Sequence, residues 1–386
     1  MRFWVRALLG LSFIATLWGS FSPGWGWLAW LAPAFFYLAV QGTGIRGGLV
    51  WGGSLGVLFF ALELQPLFAL RPFLGPMAML PWFALALYGG LFFAGLGAVV
   101  GWRKNALVWA GAWALLEAAR GAGPLGFSFG ALPQTLVGTP FLSAAAWGGP
   151  ALLSLAIAWT GAALTQGLRR PRFVLTALLG PGTLALLAFL PLPSQPAGEL
   201  TVALVQPGFS QLEKLERDNL PVLLERYREL LSQVPAEAEL VAVPENVLPG
   251  FLLEETELMA PFQETARRLS VPVLVGTGTR QASRVYNSVL LLSPEGTPED
   301  VYHKRRLVPF GEYLPGREIW RRLGLEPLLL RYLPYDLAFG PSSQPLGNLG
   351  VMICFESLFP GLSRELVLKG AEALFVLTND AWFGET

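Results

Sequence analysis

The first half of the chain consists of long apolar runs separated by short polar segments. A helix needs about 20 apolar residues to cross a bilayer, and the pattern predicts seven such runs in this half. The second and fifth runs are short and rich in Ala, Gly and Trp, so six spans are an alternative to seven. The runs lie at residues 4–22, 25–40, 47–64, 77–101, 105–119, 142–167 and 173–191.

From residue 200 onward, short β-rich runs alternate with polar segments that have helical spacing. Apolar strands interleaved with helices indicate a sheet covered by helices, in an α/β or α+β arrangement. The Pro-rich stretch at 191–199 predicts a linker, so we expect a transmembrane domain at 1–193 and a second domain at 194–386. Strands are predicted at 200–208, where Pro and Gly end the strand, at 238–246, 271–280, around Tyr302, at 349–357 and at 373–380, and 285–296 is predicted as a strand plus a turn. Helices are predicted at 212–233, 254–270 and about 360–369.

Composition and charge agree with a membrane protein. The hydrophobic content of 53% and the mean hydropathy of +0.50 exceed the values usual for a soluble domain. Residues 1–193 hold only two acidic side chains, Glu63 and Glu117, against ten basic ones. With seven spans, eight of these ten fall on one side of the membrane, which marks that side as cytoplasmic. The N-terminus is therefore expected inside and the second domain outside, with an uncleaved first span.

Candidate chemistry lies at three predicted strand ends, which carry Glu245, Lys304 and Cys354, the only cysteine of the chain. A thiol needs a base or a cation to attack as thiolate. A glutamate can take its proton, and an ammonium with the Phe355 N–H can stabilise an oxyanion. His303, the only histidine, is expected to point away from Lys304 because strand neighbours face opposite sides. These residues alone leave open whether the cysteine is catalytic or a small buried hydrophobe.

Four segments in this order resemble the signature segments of the nitrilase superfamily: VPEN, HKRRLVPFGEYLP, GVMICFES and LTNDAWFG. LVPFGEYLP, NDAWFG and the membrane segment at 123–149 resemble one branch in particular, the apolipoprotein N-acyltransferases. The resemblance implies a polytopic α-helical membrane domain followed by a nitrilase-like α-β-β-α sandwich. It covers nearly the whole chain, and four ordered motifs are far more specific than any single one.

The resemblance also implies roles for individual residues. It makes Cys354 the nucleophile, Glu245 the general base and Lys304 the cation beside the oxyanion, forming a Glu-Lys-Cys triad. Supporting positions implied around this triad are Glu312, Glu356, Phe355 and Asn287.

The implied reaction moves a fatty acyl chain from a phospholipid, through a cysteine thioester, to the N-terminal amine of a diacylglyceryl-cysteine lipoprotein. No metal, organic cofactor or nucleic-acid partner is implied. The expected location is the bacterial inner membrane, with several spans, the catalytic domain on the periplasmic face, and a monomer as the working unit.

The segment 313–340 mixes Trp, Leu and Tyr with arginines. Such a segment suits the headgroup boundary, with apolar side chains toward lipid tails and arginines toward phosphates. We therefore expect a mobile arm that admits lipid sideways; the alternative is that its leucines cover the sheet core. The arm residues singled out are Trp320, Leu323, Leu328 and Tyr332.

Two departures from the branch pattern stand out. Leu215 occupies a position where family members often have Trp, which affects a substrate contact. The chain also ends at Thr386, directly after NDAWFGE, whereas the family continues with further strands and a final span, so the second domain is expected to be C-terminally incomplete. Alternative functions are a membrane-tethered nitrilase-type amidase that hydrolyses a small amide, and a non-catalytic membrane scaffold.

Overall fold

The computed structural model describes residues 1–102, 105–123, 125–168, 170–191, 198–330, 333, 335–342 and 344–383. The chain divides into two compact units, Met1–Ser194 and Gln195–Thr386. Each unit has a hydrophobic core of its own, one built from helices and one from sheets with helices.

The first unit is built from apolar helices. A helix overlaps each of the seven apolar runs of the sequence. Among the described residues, three segments are long and apolar enough to cross a membrane by length and composition: Gly44–Glu63, Met79–Trp102 and Pro140–Gly167. Shorter apolar helices occupy Phe3–Gly19, Gly26–Val40 and Phe173–Phe189, and the number of spans stays a prediction. The helices are α1 Phe3–Gly19, α2 Ala32–Val40, α3 Gly44–Glu63, α4 Arg71–Leu74, α5 Met79–Trp102, α6 Ala106–Arg120, α7 Ala145–Gly167, α8 Arg172–Ala177 and α9 Leu179–Phe189.

Helices α3 and α5 pack backbone against backbone. A Cβ atom added to Gly97 would lie 2.1 Å from the carbonyl oxygen of Gly48, and one added to Gly52 would lie 2.3 Å from that of Phe93. Only glycine permits this approach, and small residues at four-residue spacing commonly form such contacts between membrane helices. The sequence at these positions thus fixes the α3–α5 pair directly.

Two charged side chains fasten the segment 125–136 to neighbouring helices. Glu117 on α6 accepts hydrogen bonds from the Leu132 N–H (3.0 Å) and the Ser154 hydroxyl of α7 (2.5 Å). Arg120, 1% exposed, donates to the carbonyl oxygen of Phe129. Polar groups buried among apolar helices need such partners, and here they hold an irregular segment in place.

The second unit contains two sheets. In the five-stranded sheet, with order β1-β2-β3-β4-β5, the first three strands are parallel, and β3, β4 and β5 pair antiparallel. Strands β6 and β7 form a parallel pair. The strands are β1 Val202–Leu204, β2 Leu240–Val243, β3 Val273–Gln281, β4 Arg284–Leu292, β5 Pro298–His303, β6 Leu349–Ile353 and β7 Ala373–Leu377. The helices are α10 Gln211–Leu215, α11 Leu220–Ser232, α12 Thr256–Leu269, α13 Arg317–Arg322, α14 Glu326–Leu330 and α15 Pro360–Leu368.

Alternation along the strands builds four layers. On β2, Val241 and Val243 belong to the core under α11 and α12, while Leu240 and Ala242 belong to the core shared with β6 and β7. Successive side chains of a strand point to opposite faces, so one apolar strand supplies both cores. On β6, Met352 faces outward and packs under α15. The order of layers is helix, sheet, sheet, helix.

Several elements are shorter than the sequence predicted; β2, for example, covers Leu240–Val243 within the predicted run 238–246. Strand β1 has three residues and is shorter than the apolar run before Pro207 and Gly208, which were expected to end the strand and which lie in the irregular segment that follows it. The helix predicted at 212–233 is divided into α10 and α11, with Pro221 in the first turn of α11. A proline is tolerated in a first helical turn because its missing N–H has no intrahelical partner there.

Candidate active site

The side chains that the sequence placed at strand ends lie together in the second unit. Glu245 follows β2, Lys304 directly follows β5, and Cys354 directly follows β6. The Lys304 ammonium lies 3.3 Å from Glu245 Oε1, and the Cys354 thiol interacts electrostatically with both groups. An acid, an amine and a thiol from three strands therefore share one site.

Lys304 is held rigidly and is 1% exposed. Its Nζ lies 2.9 Å from Glu312 Oε1 as well as 3.3 Å from Glu245 Oε1. Its main chain donates to the Asn287 carbonyl and accepts from the Gly340 N–H, each at 2.8 Å. Burial acts to lower the pKa of Lys304, but the two carboxylates outweigh it and raise the pKa above that of a free lysine. Lys304 is thus a permanent cation at neutral pH.

The two carboxylates share the Asn287 amide as well as the lysine. Asn287 Nδ2 donates to Glu245 Oε1 at 2.7 Å and to Glu312 Oε1 at 2.9 Å. Their second oxygens accept main-chain N–H groups, that of Asn379 for Glu245 (3.1 Å) and that of Val308 for Glu312 (2.8 Å). Glu245 is 7% exposed. Every oxygen of these two carboxylates thus has a donor, which fixes the position of both groups.

Cys354 is half-buried and has a left-handed backbone, with φ +49°. Non-glycine residues adopt this conformation rarely, and they do so mainly where the surroundings enforce it. The pKa of the Cys354 thiol is raised to about 11 by burial and, to a smaller extent, by the Glu245 charge, while Lys304 acts to lower it. The resting thiol is therefore protonated at neutral pH, and attack requires a base to take its proton.

Glu356 ties the turn after Lys304 to the strand that carries Cys354. It is fully buried and accepts the Ile353 N–H (2.8 Å) together with the N–H groups of Arg305 (2.7 Å) and Arg306 (3.1 Å). The Tyr302 hydroxyl donates to both of its oxygens at 2.9 Å. Burial raises the pKa of Glu356, against the lowering effect of these donors. Glu356 thereby sets the spacing between the amine and the thiol.

The backbone of Glu245 is positioned by a close approach to β3. A Cβ atom added to Gly276 would lie 2.4 Å from the Pro244 carbonyl oxygen and 2.6 Å from Glu245 Cα. Asn246, the next residue, has a positive φ of 45°. Glu245 therefore sits on a bend of the main chain that only a glycine neighbour allows.

His303 has its polar contacts on a different set of groups. Its Nδ1 lies 2.7 Å from the Ser288 hydroxyl and its Nε2 lies 3.1 Å from Gln281, and its ring stacks on Tyr286. Burial lowers the pKa of His303. These contacts match the expectation that His303 points away from the amine of Lys304.

Phe355 packs its ring against Phe359, with ring centroids 5.2 Å apart. The role expected for its N–H as an oxyanion donor stays a prediction.

The segment after Lys304 contains α13 and α14, and its apolar side chains include strongly exposed ones. Leu323 is 63% exposed, and Trp320 is half-buried with its Nε1 donating to the Pro315 carbonyl at 3.0 Å. Three of its arginines are bound by acidic residues of the same segment rather than left open for phosphate: Arg317 with Asp336 and Glu326, Arg321 with Glu318 and Glu326, and Arg322 with Glu318. Tyr332 and the Leu328 side chain lie outside the described parts of the chain.

Three neighbours of the site were not singled out from the sequence. The Tyr302 hydroxyl donates to Glu356, Thr378 acts to lower the pKa of the Cys354 thiol, and the half-buried Lys214 interacts electrostatically with Glu245. Burial lowers the pKa of Lys214 to about 8. Thr378 lies in the LTNDAWFG segment. Its position beside Cys354 depends on the register between two strands, which the motif itself does not show. Within the described residues, no group of three or more His, Cys, Asp or Glu side chains could hold a metal ion.

Comparisons with known proteins match both units. The family model for carbon-nitrogen hydrolases matches residues 201–386, and the model for the apolipoprotein N-acyltransferase N-terminal domain matches residues 10–163. The apolipoprotein N-acyltransferase of Azotobacter vinelandii is 31% identical over 391 residues, covering 93% of this chain and 74% of the relative. That of Gloeobacter violaceus is 30% identical over 395 residues, covering 94% and 74%.

Among solved structures, a carbon-nitrogen hydrolase from Helicobacter pylori G27 aligns with 46% of this chain and 59% of its own, at 20% identity and a TM-score of 0.31. That likeness is too weak to add to the sequence matches. The two family models follow one another along the chain as the two units do, and both full-length relatives carry the same name. The chain belongs to the apolipoprotein N-acyltransferase family.

Proposed function

We propose that this protein transfers a fatty acyl chain from a phospholipid to the N-terminal amine of a diacylglyceryl-cysteine lipoprotein, through a thioester on Cys354. The observation that carries the proposal is the pairing of a protonated thiol with a carboxylate and a permanent ammonium in one buried site. Family membership supplies the substrate class. The side chains supply a nucleophile, a base and an oxyanion partner.

In the first step, Glu245 takes the thiol proton as the Cys354 sulfur attacks the ester carbonyl carbon of the phospholipid. The carbonyl oxygen becomes an oxyanion beside the Lys304 ammonium. The ester C–O bond then breaks, and the proton held by Glu245 passes to the departing lysophospholipid oxygen. The acyl chain is left as a thioester on Cys354.

In the second step, the lipoprotein amine attacks the thioester carbonyl carbon. Glu245 takes a proton from the attacking nitrogen, and Lys304 again faces the oxyanion. When the C–S bond breaks, the sulfur recovers a proton from Glu245 and the product leaves as an amide. A thiol that is protonated at rest suits this cycle, because the proton it gives up to the lysophospholipid in the first step is replaced by a proton from the amine in the second, each carried by Glu245.

The remaining assignments follow from the pattern of the chain. We propose that residues 1–193 form the multi-span membrane domain and residues 194–386 the catalytic domain on the periplasmic face, in agreement with the Lys/Arg bias of the connecting segments. The exposed Leu323 and its apolar neighbours on α13 and α14 are proposed to meet lipid tails at the headgroup boundary. Each chain holds a complete set of acid, amine and thiol, so a monomer is the proposed working unit.

Mass spectrometry of the intact protein tests the proposal. Protein incubated with phosphatidylethanolamine of defined chains should gain one acyl mass on Cys354, and a diacylated lipopeptide with a free amine should remove it and become triacylated. Cys354→Ala is the matched control and should gain no mass. A folded wild-type protein that never acquires the adduct would refute the proposal.

The amidase alternative predicts that water, and not the lipopeptide amine, removes the acyl group from Cys354. An amidase would lose its acyl group to water at the same rate with or without the lipopeptide, and would turn over small amides. Measuring adduct decay in the presence and absence of lipopeptide separates the two functions, since only a transferase should require the amine.

A further inference from the structure

Thr378 is the first residue after strand β7, next to Cys354, the first residue after strand β6. The parallel strands β6 and β7 are paired in register up to Ile353 and Leu377. The next residue of each strand is Cys354 on one side and Thr378 on the other. Neighbouring strands lie about 4.8 Å apart, so this register places a hydroxyl next to the thiol.

The Thr378 hydroxyl donates to one carboxylate and has the Cys354 thiol as a neighbour. Its Oγ1 donates to Asp380 Oδ1 at 2.9 Å, where Asp380 is exposed. The hydroxyl also acts to lower the pKa of the neighbouring Cys354 thiol, as a donor beside the sulfur would. A hydroxyl has one proton to donate, so the negatively charged sulfur and the Asp380 carboxylate compete for it.

The main chain of the same segment is anchored to the proposed base. The Asn379 N–H donates to Glu245 Oε2 at 3.1 Å, and Asn379 Nδ2 donates to the buried Gln211 at 3.1 Å. The segment after β7 therefore touches Glu245 through one residue and Cys354 through the residue before it. The position of the hydroxyl is fixed with respect to both reacting groups.

We propose that Thr378 is a further catalytic residue, whose hydroxyl donates to the Cys354 sulfur when that sulfur is negatively charged and to Asp380 when the sulfur is protonated or acylated. The inference rests on Cys354 being the nucleophile of the proposed function. No bond to Thr378 forms or breaks. Its O–H turns from one acceptor to the other while the thiol proton moves to Glu245.

The largest effect is expected when the thioester opens. In a thioester the sulfur is a weak acceptor, so the hydroxyl stays on Asp380. As the amine displaces the sulfur, the C–S bonding pair becomes a thiolate lone pair that the turning hydroxyl stabilises. A hydrogen bond to a charged group is worth roughly tenfold in an equilibrium or rate.

The test is alkylation of Cys354 by iodoacetamide as a function of pH, which needs no lipid and reads one sulfur because the chain has a single cysteine. Thr378→Val keeps the shape and removes the hydroxyl, and should shift the profile to higher pH, with alkylation at about pH 8 slowed roughly three- to tenfold. Thr378→Ser restores the hydroxyl and should return to within about twofold of wild type.

A second comparison isolates the competition with Asp380. Asp380→Asn should shift the profile to lower pH in the wild type, and should shift it less in the Thr378→Val background, because part of its effect passes through the hydroxyl. Equal shifts in both backgrounds, or equal profiles for Thr378→Val and Thr378→Ser, would overturn the inference. If Thr378→Val fails to fold, Thr378→Ala and Thr378→Ser are compared instead.

Adduct formation from phospholipid is recorded for each folded variant. A wild type that alkylates as described but never becomes acylated would refute the proposed function and leave the thiol–hydroxyl contact standing. If the wild type becomes acylated and Thr378→Val transfers its acyl group to the lipopeptide at the same rate, the catalytic role of Thr378 is refuted while the proposed function stands.

Discussion

Replacing Lys304 by methionine removes the only cation that touches both buried carboxylates in the described part of the site, while keeping a similar side-chain volume. The ammonium lies 2.9 Å from Glu312 and 3.3 Å from Glu245. At an effective dielectric constant of about 20, each contact corresponds to roughly 5 to 6 kcal/mol before desolvation is counted. Burying the three charges costs a comparable amount, so the net effect depends on what the substitution leaves behind.

Lys304→Met leaves two carboxylates that share one amide, with no cation between them. Removing one partner of a buried pair typically costs about 3 to 5 kcal/mol. For a domain of this size, 1 kcal/mol corresponds to about 2 to 4 °C in Tm, so the melting temperature of the second unit should fall by roughly 6 to 20 °C. Acylation of Cys354 should be lost as well, since the oxyanion has no ammonium.

The matched control is Lys369→Met. Lys369 pairs with Glu365 at 2.8 Å, but both side chains are more than a third exposed. Exposed pairs are worth about 0 to 1 kcal/mol, so this variant should melt within about 4 °C of wild type. Differential scanning fluorimetry of the detergent-solubilised variants measures both. Equal Tm changes for the two variants would refute the reasoning that burial determines how much an ion pair contributes to stability.

The raised pKa of Lys304 determines how the Tm difference between wild type and Lys304→Met depends on pH. A lysine whose pKa is higher in the folded than in the unfolded state contributes its full stability below the unfolded value of about 10.4. The contribution is lost only as the pH rises above that value. The gap in Tm between wild type and Lys304→Met should therefore stay constant between about pH 6 and 8.

Four further outcomes are expected. Glu245→Gln removes the charge that helps raise the thiol pKa to about 11, so Cys354 should alkylate faster at a given pH while acyl transfer is lost; slower alkylation would contradict the electrostatics. Gly276→Ala should displace the Glu245 backbone and reduce adduct formation by at least about tenfold, measured by intact mass. Tyr302→Phe removes a donor from buried Glu356 and should cost about 1 to 3 kcal/mol in the free energy of unfolding, measured by chemical denaturation. Gly97→Leu should separate α5 from α3 and lower the yield of folded protein in detergent size-exclusion chromatography, whereas the same change at Gly111, with no atom within 4 Å of an added Cβ, should not.

Local pattern in the sequence is enough to predict most elements of the second unit. The strands around Val241, Leu274 and Val351 are apolar on both faces, and each is observed as a strand between two packed layers. The extent of β1 could not be read from its apolar run, because only three of its residues find a partner in β2. The ends of β1 are therefore set by which of its residues pair with β2, and not by the β propensity of its sequence.

The site divides in the same way. Glu245, Lys304 and Cys354 were predicted from motifs and strand ends, and their side chains meet in one site, while their catalytic roles stay proposals. Thr378 could not be singled out, because its position next to Cys354 depends on the register of two strands that are 24 residues apart at Ile353 and Leu377. Local spacing carries no information on such register. The sequence also did not show that arginines of the segment 313–340 would pair with acidic side chains rather than face phosphates. Those pairs depend on how the segment folds back on itself, which local spacing does not reveal.

The anchoring of Glu356 has a consequence for the salt tolerance of the enzyme. The carboxylate is fully buried and is held by three main-chain N–H groups and one phenol hydroxyl. Mobile ions screen exposed charges within about 10 Å at 0.1 M salt but reach buried groups poorly. The geometry that joins amine and thiol should therefore persist when the ionic strength of the surrounding solution rises or falls, even where the surface ion pairs of the same unit weaken.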